Sequence, residues 1–156
     1  MSKIVCFGEV LWDVFPKHKK IGGAPLNVAL RLQSFQNEVA LISCLGDDKL
    51  GNELLLELQK HRISSLYIQK IKAYKTSTVA ISLDKNGSAS YFINHPCAWD
   101  NIQVNDKLNS LVKSSEAFIF GSLIARSNTS RNTLLKLLMF SKFSVFDVNL
   151  RHPHYD

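Results

Sequence analysis

A chain of 156 residues, 46% of them hydrophobic, can bury one ordinary globular core. Its 19 lysines and arginines exceed the 13 acidic residues to give +6, yet they are scattered, which excludes the clustered basic face of a nucleic-acid binder and suits a phosphorylated small molecule. Cys6, Cys44 and Cys97 are too widely spaced for a disulfide framework or a zinc site, and no apolar run approaches the ~20 residues of a membrane span, so a soluble cytoplasmic protein is expected.

Strand-like and helix-like segments alternate along the chain. "KIVCFGEV" (3–10) suits a buried strand, and a helix opened by Pro25 follows, with Val28, Leu32 and Phe35 predicted on one face. "EVALISCLG" (38–46) is a second buried strand. "DDKLGNELLLELQKHR" (47–62) predicts a helix with an aspartate cap and with Leu50, Leu54 and Leu58 repeating every four residues. A third strand, "SSLYIQKI" (64–71), comes next. "STVAISL" (77–83) and "SASYFIN" (88–94), joined by "DKNG", predict a hairpin turning at Asn86 and Gly87. "VNDKLNSLVKSS" (104–115) is a helix, "EAFIFGS" (116–122) a strand, "NTSRNTLLKLLMFSK" (128–142) a helix and "FSVFDVNL" (143–150) a fifth strand. Such alternation predicts an α/β fold, a mostly parallel sheet with helices on both faces, from which the hairpin must project as a small β lid.

In open parallel sheets ligands bind beyond the carboxyl ends of the strands. That rule gathers Glu9 and Asp13 after the first strand, Gly121 and Ser122 at the fourth, and Asp147, Asn149 and Arg151 at the fifth. The "IGGAPLNVALRL" stretch (21–32) places Gly22 and Gly23 at the start of the first helix. It is neither a dinucleotide fingerprint, which would follow the first strand directly, nor a Walker loop, which would close on Gly-Lys-Ser or Gly-Lys-Thr. Two readings remain from the residues alone: a bare-backbone approach to a small polar ligand assisted by Asn27, or a loop before a Pro-initiated helix. Glu9 is assigned no role.

The run from Gly22 to Ala29, continued by "LISCLGDDKLGNELLLEL", resembles the N-terminal signature of the PfkB, or ribokinase-like, carbohydrate kinases. "SYFINHPCAWD", "FGSLIARSNTSRNTL" and "FDVNLRHPHY" resemble segments of its fructokinase-like members, so the likeness covers essentially all of 1–156, with lid elements expected near 12–20 and 74–98. The resemblance implies sugar contacts from Asp13, Gly22, Gly23 and Asn27, from Phe92 and Asn94 on the lid, and from Asn149 and Arg151. In sugar-acid kinases of the family an arginine stands where Asn94 does, so Asn94 implies a neutral ketose, while Arg151 keeps an acidic sugar open. Gln36 departs from the signature's small residue after the first helix, at a cost of ~1 kcal/mol for a left-handed cap without glycine.

Relatives in the family run to about twice this length. Their Asn-x-x-Glu segment associated with magnesium, their nucleotide loops and their Gly-Ala-Gly-Asp motif, which carries the catalytic base, have no counterpart here. The resemblance therefore implies the N-terminal, sugar-binding half of a kinase that uses ATP and Mg2+ when complete, with no catalytic residue and no tight nucleotide site in this chain, and a homodimer through the lid or an exposed sheet edge. The alternative is a catalytically silent sugar-binding or interaction module.

Overall fold

The computed structural model describes residues 2–83 and 89–150, with side chains described outside 81–92. Five strands, β1 (Lys3–Phe7), β4 (Glu38–Gly46), β5 (Ile68–Ile71), β8 (Ala117–Gly121) and β9 (Ser144–Asp147), form one parallel sheet in the order β5-β4-β1-β8-β9. Because side chains alternate across a strand, β1 and β4 feed two cores. Cys6, Leu41 and Leu45 pack with Leu26 and Ala29 of α1 (Ala24–Ser34) and Leu54 and Leu58 of α2 (Lys49–Lys60). Val5, Phe7, Ala40 and Ile42 pack on the other face with Leu108, Leu111 and Val112 of α3 (Asp106–Ser114) and Leu134 and Leu137 of α4 (Asn128–Leu138). The fold is thus the expected α/β layer with helices on both faces. Burial on both sides is also why these strands are near-continuous apolar runs.

A second sheet lies outside this layer. It has four strands in the order β3-β2-β6-β7, made of β2 (Leu11–Val14), β3 (Lys19–Gly22), β6 (Thr78–Leu83) and β7 (Ala89–Ile93). The predicted hairpin is β6 and β7; its turn at Asn86 and Gly87 lies outside the described residues. The first strand ends at Phe7 rather than Val10. Residues 11–22, expected as a connection with a lid element, fold into a β2–β3 hairpin whose first strand runs parallel to β6.

One predicted face is corrected. Helix α1 buries Pro25, Leu26 and Ala29, whereas Phe35 is 62% exposed with the Arg31 guanidinium 4.7 Å from its ring centroid. The spacing that grouped Phe35 with Val28 and Leu32 runs past the helix end, where Phe35 is the C-cap. Gln36 then takes φ 63°, and its amide donates to the Gln33 carbonyl at 2.8 Å. Gln36→Gly removes the left-handed strain of a side-chain-bearing residue and is expected to stabilise the chain by about 1 kcal/mol. A thermal melt should show a rise of roughly 2–4 °C.

Helix α2 is capped as its sequence implies: the Asp48 carboxylate accepts from the Gly51 amide at 2.8 Å. At the opposite margin, Phe146 on the edge strand β9 and Phe143, Val148 and Leu150 flanking it are exposed, as are Leu135 and Met139 of the α4 region. The helical cover on both faces does not extend over this strand.

Candidate functional site

Three sets of hydrogen bonds fasten the second sheet to the parallel layer. Trp12 Nε1 on β2 donates to the Leu50 carbonyl at 3.0 Å. Asp48 accepts from the Thr76 amide at 2.9 Å and the Thr76 hydroxyl at 2.8 Å, where the chain enters β6. Burial pushes the Asp48 carboxyl up, but these bonds and the one from Gly51 outweigh it and hold the group below its ordinary value. At the exit of β7, Arg126 donates to the Asn94 carbonyl at 2.6 Å.

Arg126 itself is part of a buried charge pair. Its Nε meets Asp100 Oδ1 at 2.7 Å and its terminal nitrogen meets Oδ2 at 2.8 Å, with the two side chains 2% and 1% exposed. The guanidinium also stacks 3.9 Å from the Trp99 ring centroid. Such a two-point, planar contact is what arginine offers and lysine does not. Its sequence signal was slight: single charges inside the apolar runs "CAWD" and "SLIAR".

Asp13 is half-buried on β2, and its carboxylate accepts no hydrogen bond from a described residue. Burial raises its pKa above the ordinary 3.8. Gly22 on β3, which pairs with Leu11 while Asp13 pairs with Lys20, explains how that carboxylate fits, since a Cβ on Gly22 would overlap the Asp13 carboxylate, standing 2.8 Å from its Cγ. Bare backbone at 22 therefore makes room for an acidic side chain. Gly23 has a different reason. With φ 114° it is the N-cap of α1, and a Cβ there would run into the Glu9 backbone carbonyl.

The two glycines should separate in experiment. Gly22→Ala displaces the flexible end of Asp13 and is expected to change ligand affinity with little loss of stability. Gly23→Ala forces a strained backbone against a fixed carbonyl and should cost at least ~1–3 kcal/mol of folding free energy. Urea unfolding of both variants checks the contrast; equal destabilisation would contradict it.

Of the other expected contacts, Asn27 is exposed on the first turn of α1, its amide N–H bonded to the Gly23 carbonyl at 2.9 Å. Asn94 is exposed, and its Nδ2 donates to the Thr78 hydroxyl at 3.2 Å. The Ser122 hydroxyl donates to the Asn149 carbonyl at 2.8 Å and the Ser122 amide donates to the Asp147 carbonyl at 3.2 Å, which joins the carboxyl ends of β8 and β9. The Phe92 side chain and the whole of Arg151 lie outside the described residues.

Glu9, left without a role by the sequence, follows β1 directly. It is 4% exposed, and its Oε1 accepts from the Ala24 amide at 3.2 Å. Gly23 has no side chain to cap α1, so Glu9 supplies that acceptor from outside the helix. Burial pushes its carboxyl up from 4.5 to about 7, against the pull of the Glu9 and Ala24 amides and of Arg126 and with the push of Asp147.

A parallel α/β layer thus carries an outrigger sheet, on which an acidic side chain lies over bare backbone, and this layered α/β arrangement sets the class of fold. The whole chain, residues 1–156, matches the pfkB family of carbohydrate kinases, and it belongs to that family. It is 36% identical to a sugar kinase of Pyrococcus horikoshii, PH1459, over 95% of this chain and 52% of that protein. It is 29% identical to "Probable fructokinase-2" of Arabidopsis thaliana over 96% of this chain and 51% of that protein. The crystal structure of uncharacterized sugar kinase PH1459 in complex with ATP superposes with a TM-score of 0.83 at 30% identity, covering 97% of this chain and 54% of that one. The chain spans about half the length of the curated relatives it matches.

No helix among the described residues is long and apolar enough to cross a membrane. Nor do the described residues include three or more His, Cys, Asp or Glu side chains grouped to hold a metal ion.

Proposed function

We propose that this chain forms the sugar-binding half of an ATP-dependent kinase that phosphorylates a hydroxyl of a neutral ketose, as fructokinases do. The observation that carries the reading is Asp13: an unpartnered carboxylate placed over Gly22 at the seam between the two sheets. A carboxylate accepts hydrogen bonds from neighbouring hydroxyls, while the Asn27 amide on the adjoining helix turn can donate and accept. Asn94 offers a neutral amide from the second sheet, which suits an uncharged sugar better than a sugar acid. The β6–β7 strands act as the lid, fastened at their base through Thr76 and Asn94 and closing over the ligand.

ATP enters this reading through family membership and the ATP complex of PH1459. The group supplies the transferred phosphoryl, and magnesium would balance its charge. No residue of this chain is assigned to either, and the base that takes the sugar's proton lies in the part of the family domain beyond these residues. What this chain's side chains do is bind and orient the sugar, which is most of what a protein contributes to phosphoryl transfer besides charge stabilisation.

Titration calorimetry with D-fructose tests the reading. Asp13→Asn removes a charge-assisted acceptor and should weaken fructose by about 1.5–3 kcal/mol, roughly ten- to a hundredfold. Asn94→Arg should disfavour fructose and improve binding of 2-keto-3-deoxygluconate. Unchanged fructose affinity in Asp13→Asn would remove Asp13 from the site.

A further inference from the structure

Among the buried polar atoms without a hydrogen-bond partner in the described residues, one is a carboxylate oxygen, Oε2 of Glu9. Buried polar groups in native folds are almost always bonded, so an unpaired carboxylate oxygen calls for an explanation. Its companion Oε1 is occupied by the Ala24 amide, which fixes the side chain against the start of α1. The backbone carbonyl of the same residue is what Gly23 packs against. Glu9 therefore touches the same glycine turn that makes room for Asp13, and it does so from the carboxyl end of β1, the edge at which parallel sheets take ligands.

We propose that Oε2 of Glu9 accepts a hydrogen bond from a hydroxyl of the bound sugar, so that the site holds the ligand with two carboxylates, Glu9 from beneath and Asp13 from the second sheet. This rests on the reading of the site as a sugar site. The two acids differ in surroundings: Asp13 is half-buried, whereas Glu9 is enclosed, with Arg126 favouring its ionised form and Asp147 opposing it. Enclosure raises the Glu9 carboxyl to about 7. A hydroxyl that donates to Oε2 selects the ionised form, so fructose affinity should climb as pH rises through that value. Burial raises the Asp13 carboxyl as well, so the two acids are separated by substitution.

The test is fructose affinity by calorimetry between about pH 5.5 and about pH 8.5 for the intact chain and two variants, with folding of each verified by thermal unfolding. The native chain should gain roughly tenfold or more across this range, since only the ionised fraction is competent to accept. Glu9→Gln retains the acceptor for the Ala24 amide, should bind more weakly at the alkaline end, and should show a flat profile. Asp13→Asn should bind more weakly throughout and keep the rise. In addition, one monodeoxy analogue of fructose should lose affinity for the native chain but not for Glu9→Gln. A Glu9→Gln variant that melts differently yet keeps the native affinity and its rise with pH would overturn the contact and leave the sugar-site reading standing. Absence of fructose binding by the native chain at every pH would overturn both.

Discussion

Arg126→Met should lower the folding free energy by about 3–5 kcal/mol, the largest effect expected of any single change in this chain. The substitution removes the bidentate partner of Asp100, whose side chain is 1% exposed, and leaves a carboxylate enclosed among Cys97, Trp99 and the β7 exit. It also releases the Asn94 carbonyl and thereby one of the fastenings of the second sheet. Most of the loss comes from stranding a buried charge rather than from the net worth of the pair. The double variant Asp100→Leu/Arg126→Met should therefore recover most of it. Urea unfolding followed by circular dichroism measures both; a loss under about 1 kcal/mol in the single variant would mean that water reaches Asp100.

The second large effect is a pH dependence of stability carried by Glu9. Its carboxyl has an ordinary value of 4.5 and is raised to about 7 in the fold, so the folded chain holds this proton more tightly than the unfolded chain. The contribution is fully present below pH 4.5, is lost as pH rises from there through about 7, and does not return above it. A shift of this size corresponds to about 3 kcal/mol. Glu9→Gln is neutral at every pH, so it should flatten the slope in this window and be more stable than the native chain at alkaline pH by up to about 3 kcal/mol. Unfolding free energies measured across the window check the slope. A native chain whose stability is level between these values would place Glu9 in contact with solvent.

The parallel layer was legible in the sequence because its central strands β1 and β4 are buried on two faces and each helix repeats leucine on one. Asp48 could be read as a helix cap, since capping is local; that the same carboxylate holds Thr76, 28 residues away, could not. The β2–β3 hairpin was hidden for a related reason. Its strands are four residues each, β3 is half lysine, and the partner that gives them a sheet is β6, more than sixty residues on. Phe35 misled because helical spacing says nothing about where the helix stops. The glycine pair was recognised, but the two reasons for it were not: Gly22 clears a side chain and Gly23 clears a backbone carbonyl, a distinction that exists only once β2 and β1 are folded against α1. Glu9 was passed over because a lone acid after a strand resembles any turn residue until its burial and its missing partner are seen.

The central claim, that a neutral ketose lies on Asp13 over the glycine turn, is tested most directly by amide chemical shifts of the isotopically labelled chain titrated with D-fructose. The account predicts saturable shifts at Asp13, Gly22, Gly23, Asn27 and Asn94, lost in Asp13→Asn. Saturable shifts confined to other surfaces, such as the outer face of α2 around Glu53 and Glu57, or no shifts at all with the chain folded, would contradict it.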